Sequence, residues 1–156
     1  MHTQSIDDIM QKAIDLEKEG ANFYRKLAAE VSIEAVRDVF LKLVNDETQH
    51  QKDFAALAKT MRGVVIVSSL DLIEIMTAVT TKLRDAMKGS ELIDMRDANL
   101  GQALNIGIHN EQEAIRSYAE LLKVAHPGFN AMMERVIGEE QDHLKALVDM
   151  KNQRLG

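Results

Sequence analysis

The chain has 156 residues, enough to bury one sizeable core, and predicts a single domain spanning 1–156. A formal charge of −6, with no basic cluster, argues against nucleic acid or an anionic membrane surface as partner. The lack of cysteine excludes disulfides, thiolate metal sites and thiol catalysis.

The start, "MHTQSIDDIM", has neither a basic n-region nor an apolar h-region, so no signal peptide is expected. The longest obvious apolar run, "VVIV", is far too short to span a membrane. The expected location is cytoplasmic, with which a cysteine-free chain is compatible. One proline and many Ala, Leu, Glu, Lys, Met and Gln predict an all-α fold of long, uninterrupted helices.

In chain order, the first helix shows apolar positions stepping by fours and threes: Ile6, Met10, Ala13, Glu17, Gly20, Tyr24, Leu27, Val31. Ser5 and Asp8 resemble a capping box at its start. The second seam reads Val36, Phe40, Leu43, Glu47, His50, Phe54, Leu57, Met61, with Ser32 as expected cap. So tight a connection predicts antiparallel neighbours. The stretch "RGVVIVSS" is β-branched and expected to be extended. Leu72, Met76, Val79, Leu83 and Met87 then predict a further amphipathic helix, closed by Gly89. The next seam is Leu100, Leu104, Gly107, Glu111, Ala114, Tyr118, Leu121, Ala125; after "AHPG" follows Phe129, Met133, Val136, Glu140, His143, Leu147, Met150. Two helical hairpins are therefore expected, joined by a long crossover with its own helix.

The hairpins look like copies. "IDLEKEGANFY" aligns with "IHNEQEAIRSY", matching Glu17 to Glu111 and Tyr24 to Tyr118. "DETQH" aligns with "EEQDH", matching Glu47 to Glu140 and His50 to His143. The spacing from Glu17 to Glu47 is 30 residues and from Glu111 to Glu140 is 29. Glu and His three apart share a helix face. A four-helix bundle would bury four carboxylates and two imidazoles at one level. Unpartnered buried charge is costly and neighbouring carboxylates repel, whereas two divalent cations would cancel four negative charges. Such ligands suit iron, manganese or zinc. One Glu from each of two helices and Glu-x-x-His from each of the others is the ligand inventory of ferritin-like di-metal carboxylate bundles.

Other residues have plainer readings. A single such His would be read as a core or boundary residue; the in-phase duplication argues for ligation. Tyr24 and Tyr118 sit seven residues after their Glu, either packed in the core or hydrogen-bonded to a ligand carboxylate, where they would be candidate catalytic neighbours. Glu19, Glu113, Asp46, Glu139 and Asp142 are read as surface charges. His2, His109 and His126 receive no role. Methionines at seam positions read as core filling.

"LEKEGANFY" and "NDETQH", then "NEQEAIRSY" and "GEEQDH", resemble the erythrin domain of the rubrerythrin branch of the ferritin-like superfamily, over residues 5 to about 62 and 97 to about 152. The resemblance implies a ferritin-like four-helix bundle holding a non-haem centre of two iron ions. It implies Glu17, Glu47, Glu111 and Glu140 as carboxylate ligands, Glu47 and Glu140 as the bridging pair, and His50 and His143 as one ligand to each metal. It further implies an oxidoreductase using peroxide or dioxygen, or an iron-binding and storage protein without turnover. A homodimer or higher oligomer is expected, and the long crossover would permit helix swapping. Two departures matter. Rubrerythrins proper carry a rubredoxin-like module with iron on four cysteines; this chain has no cysteine, so turnover requires an external electron donor. The family's extra Glu, three residues after the third-helix ligand, is Ala114 here. That leaves a more symmetric six-ligand set and weakens the case for peroxide reduction relative to ferrous oxidation.

Overall fold

The computed structural model describes residues 1–88, 98–124 and 130–155. Five helices carry the chain: α1 (Ile6–Glu30), α2 (Glu34–Thr60), α3 (Leu72–Ala86), α4 (Ala98–Val124) and α5 (Asn130–Leu155). Two short strands, β1 (His2–Ser5) and β2 (Val65–Ser68), pair antiparallel, with Gln4 opposite Ile66. α1 packs against α2 and α4 against α5, as the duplicated hairpins require; α2 meets α5 across the bundle, and α3 lies against both α1 and α4. The fold is an all-α bundle of two helical hairpins with an additional crossover helix.

The α1–α2 junction is only three residues long. Val31 ends α1 in extended conformation and is buried in the core. Carbonyls at this helix end accept from the Arg37 guanidinium, whose Nε and Nη2 reach Ala28 O and Val31 O at 3.3 and 3.0 Å. The Ser32 cap expected for α2 does not form. The N-cap is Ile33, without a side-chain bond, because anchoring of Val31 leaves Ser32 one residue too early. Ser5 does cap α1, accepting from Asp7 N–H rather than from Asp8.

The segment after α2 is extended as its β-branched run predicts, and its partner is the N-terminal strand. Buried Gln4 fastens the corner, donating to Leu70 O at 3.0 Å and accepting from Ile73 N–H at 3.2 Å. Asp71 caps α3 through Glu74 N–H. Leu72, Met76, Val79 and Leu83 are buried as that helix's seam predicts. Gly89, Ala125, His126, Pro127 and Phe129 lie outside the described residues. Among the described residues, no helix is long and apolar enough to cross a membrane.

Candidate metal centre

Glu17 on α1, Glu47 and His50 on α2, Glu111 on α4, and Glu140 and His143 on α5 all face the bundle interior, none more than 2% exposed. The seams put them there: each helix places its Glu among apolar residues at the same phase, so burying the stripe buries the carboxylate. Two overlapping groups result. Glu17, Glu47, His50 and Glu140 offer ligand atoms within 4.8 Å of one another, as do Glu47, Glu111, Glu140 and His143. Glu47 and Glu140 belong to both groups, the position of a bridging pair.

His50 Nδ1 lies 2.7 Å from Glu140 Oε1 and 3.4 Å from Glu17 Oε2. His143 Nδ1 lies 3.2 Å from Glu47 Oε1 and 3.7 Å from Glu111 Oε2. The rings approach at a centroid distance of 6.1 Å. Despite this crowding, Glu17 Oε2, Glu47 Oε1, Glu111 Oε2, both Glu140 oxygens and both Nδ1 atoms have no hydrogen-bond partner among the described residues. Orphan buried polar atoms are rare and costly. Here every candidate ligand contributes at least one, and their lone pairs converge. A divalent cation in each group would satisfy these atoms, so the donor set fits the metals that its chemistry suits.

Electrostatics without metal shows the same tension. Burial, then the charges of Glu140, Glu17 and Glu111, holds the Glu47 carboxyl well above its usual range. Burial, then Glu111 and Glu17, does the same to Glu140. Glu111 goes the other way: burial would raise it, but the neighbouring Glu140 carboxyl and His143 imidazole prevail and lower it. Burial would depress the His50 imidazole, yet the nearby Glu17 carboxylate, then Glu139, raise it to about 9. His143 is raised similarly, Glu111 and Asp46 outweighing burial. The protein thus retains protons in this cluster that cations would displace.

The surrounding support crosses between the hairpins. Tyr24 Oη donates to Glu111 Oε1 at 2.7 Å, and Tyr118 Oη donates to Glu17 Oε1 at 2.7 Å. Both hydroxyls are held un-ionised, by burial first and then by the Glu111 charge for Tyr24 and the Glu17 charge for Tyr118. Asn110 Nδ2 donates to Tyr24 Oη at 3.4 Å, a contact with no equivalent at Tyr118, since the matching position is Leu16. Gly20 lies where a Cβ would stand 3.3 Å from Glu47 Oε2.

Asp46 and Glu139 are not the plain surface charges their positions suggest. Half-buried, they bind the outer nitrogens of the imidazoles: His143 Nε2 to Asp46 Oδ2 at 2.9 Å, and His50 Nε2 to Glu139 Oε2 at 3.0 Å. Each acid immediately precedes its own helix's Glu but serves the histidine of the other hairpin. Sequence held the signal, an acid before both Glu-x-x-His motifs, without the partner. Each acid is in turn held by a cation four residues upstream, Lys42 for Asp46 at 2.8 Å and Arg135 for Glu139 at 2.9 Å. Glu19 and Glu113 stay outside the cluster, paired with Arg84 and Arg116.

Four bundle helices that converge Glu, Glu, Glu-x-x-His and Glu-x-x-His on one buried cluster define a ferritin-like carboxylate bundle. A family model described as Rubrerythrin matches residues 8–151, and the chain belongs to the rubrerythrin family. Its fold is similar to the crystal structure of a protein from Thermotoga maritima described as ferritin-like and diiron-carboxylate. The two share a TM-score of 0.73 and 24% identity over 97% of each chain. No curated protein sequence matches significantly.

Proposed function

We propose that this chain is a non-haem di-iron carboxylate oxidoreductase whose ligands are Glu17, Glu47, His50, Glu111, Glu140 and His143. The observation that carries this reading is the convergence of seven orphan buried ligand atoms from those six residues on two groups sharing Glu47 and Glu140. Family membership supports iron as the metal. Bound ferrous iron would supply two electrons, one per ion: hydrogen peroxide and two protons become two waters, or dioxygen and two protons become hydrogen peroxide.

The protein's part is positioning and exclusion. Asp46 and Glu139 hold the imidazoles so that Nδ1 faces inward. Tyr118 and Tyr24 each occupy one oxygen of Glu17 and Glu111, leaving the other free to ligate. Phe40 stacks on Tyr24 and Phe54 meets Tyr118 edge-on, so apolar rings separate the cluster from bulk water. Catalytic turnover would draw on an external electron donor.

The test is to load the protein with Fe(II) without oxygen and mix it rapidly with one equivalent of hydrogen peroxide or of dioxygen per chain. Two-electron oxidation in absorbance is expected, and the faster oxidant identifies a peroxidase or a ferroxidase. Repeated cycles with a chemical reductant would establish turnover. Oxidation once only, with iron retained, would support binding or storage instead. No oxidation by either would contradict the redox reading.

A further inference from the structure

The two histidine edges of the centre differ in what lies beyond them. Beyond the outer edge of His143, between α2 and α5, lies a groove of about 380 Å³ lined by Asp38, Val39, Lys42, Leu43, Asp142, His143 and Ala146. The duplication supplies an internal comparison. Three residues after His143 stands Ala146; three after His50 stands Asp53. Asp53 is buried, and its Oδ2 accepts from Arg135 Nη2 at 2.7 Å while its Oδ1 accepts from Gln49 at 3.1 Å. Arg135 also holds Glu139, which holds His50. A chain of ion pairs therefore covers the His50 edge. At the His143 edge the corresponding cation, Lys42, reaches Asp46, and the small Ala146 leaves the space beside it open.

The charges at the mouth differ too. Asp142 stands immediately before His143, where the His50 side has Gln49. Asp38 corresponds to Ala131 under the same alignment. Both acids are exposed, so the open side presents two carboxylates beyond the Lys42–Asp46 pair, whereas on the covered side one cation, Arg135, is shared by Asp53 and Glu139. Carboxylates at a low-dielectric opening concentrate cations.

We propose that the groove between α2 and α5 beside His143 is the port through which a divalent cation reaches the buried carboxylates. This rests on the reading of the cluster as a metal centre. Asp142 and Asp38 attract the cation, Ala146 leaves it room, and Asp46 with His143 forms the inner end of the path. The His50 side remains closed by Asp53, Arg135 and Glu139.

Metal association can be followed with Co(II), through its visible absorption, in the full chain without oxygen, recording the count bound per chain and the rate. Ala146→Phe should leave the count unchanged and slow association about tenfold or more by obstruction. Asp142→Lys, an exposed change that preserves packing, should also slow it, by about tenfold at low salt, with the difference fading as ionic strength rises. Ala131→Lys, at the exposed position matching Asp38 on the covered side, should leave the rate near that of the unaltered protein. Unchanged rates in both groove variants at full Co(II) count would overturn the port alone, as would equal slowing by Asp142→Lys and Ala131→Lys. Failure of the unaltered protein to bind Co(II) would overturn the metal-centre reading and the port with it.

Discussion

Asp46 and Glu139 carry the residue-scale lesson of this site. Each is an ordinary acid on an amphipathic helix until its partner is known, and that partner is a histidine on the opposite hairpin. Their hydrogen bonds fix the ring orientation that sends Nδ1 inward. Replacing Asp46 by Asn or Glu139 by Gln should preserve the fold and weaken metal affinity, by about 10- to 100-fold on the usual scale for partners of metal-bound imidazoles. Competition with a chelator of known affinity measures this; undiminished affinity in both variants would contradict the assigned role. The six candidate ligands were legible because their chemistry repeats in register: Glu47 and His50 recur as Glu140 and His143 on an otherwise apolar stripe. The supporting acids escaped because no local pattern reveals a partner that only tertiary packing brings near. Tyr24 and Tyr118 stood between, their phase visible and their acceptors, Glu111 and Glu17, not.

Among the elements, helices were legible from period and composition, and the junctions were less so. α1 and α2 follow their seams almost to the last residue, Val31 and Met61 lying just past the helix ends. The Ser32 cap failed because burial of Val31, together with Arg37 at the α1 carbonyls, governs the turn. β1 gave no pattern of its own: four residues become a strand because β2 offers its edge. Glycines divide by what faces them. A Cβ at Gly138, inside α5, would meet nothing within 4 Å. Gly138→Ala should therefore stabilise the protein by about 0.5–1 kcal/mol, the usual helix difference between the two residues. Gly20→Ala gains the same propensity but sets a Cβ 3.3 Å from Glu47 Oε2, so it should perturb metal binding. Paired thermal melts and metal titrations separate the two; a harmless Gly20→Ala would show that Glu47 has room to shift.

For the molecule as a whole, the duplicated hairpin was the strongest signal in the sequence, since it fixed the bundle and the level of the centre together. Its breaks in symmetry, Asp53 against Ala146 and Leu16 against Asn110, became meaningful only once neighbouring helices were in place. Global stability should register the buried cluster. The folded His50 pKa is raised from 6.5 to about 9, so its contribution is complete below 6.5 and lost as pH rises through about 9. Glu47 and Glu140, also raised, act in the same direction: folding is penalised as pH rises from their ordinary values towards their folded ones. The lowered Glu111 acts oppositely, but only below its ordinary range. Metal-free protein should thus lose stability between pH 6.5 and 9, as read by denaturant midpoints, and saturating metal should flatten that dependence. A rising midpoint across this window would contradict the electrostatic account.

The most direct measurement is an anaerobic titration of metal-free protein with Fe(II), counting iron bound per chain at saturation. Two ions per chain, bound with release of protons and a rise in melting temperature, is the result predicted for a buried dinuclear centre. Saturation at zero would contradict it, leaving the buried glutamates and histidines as a hydrogen-bonded feature of the core.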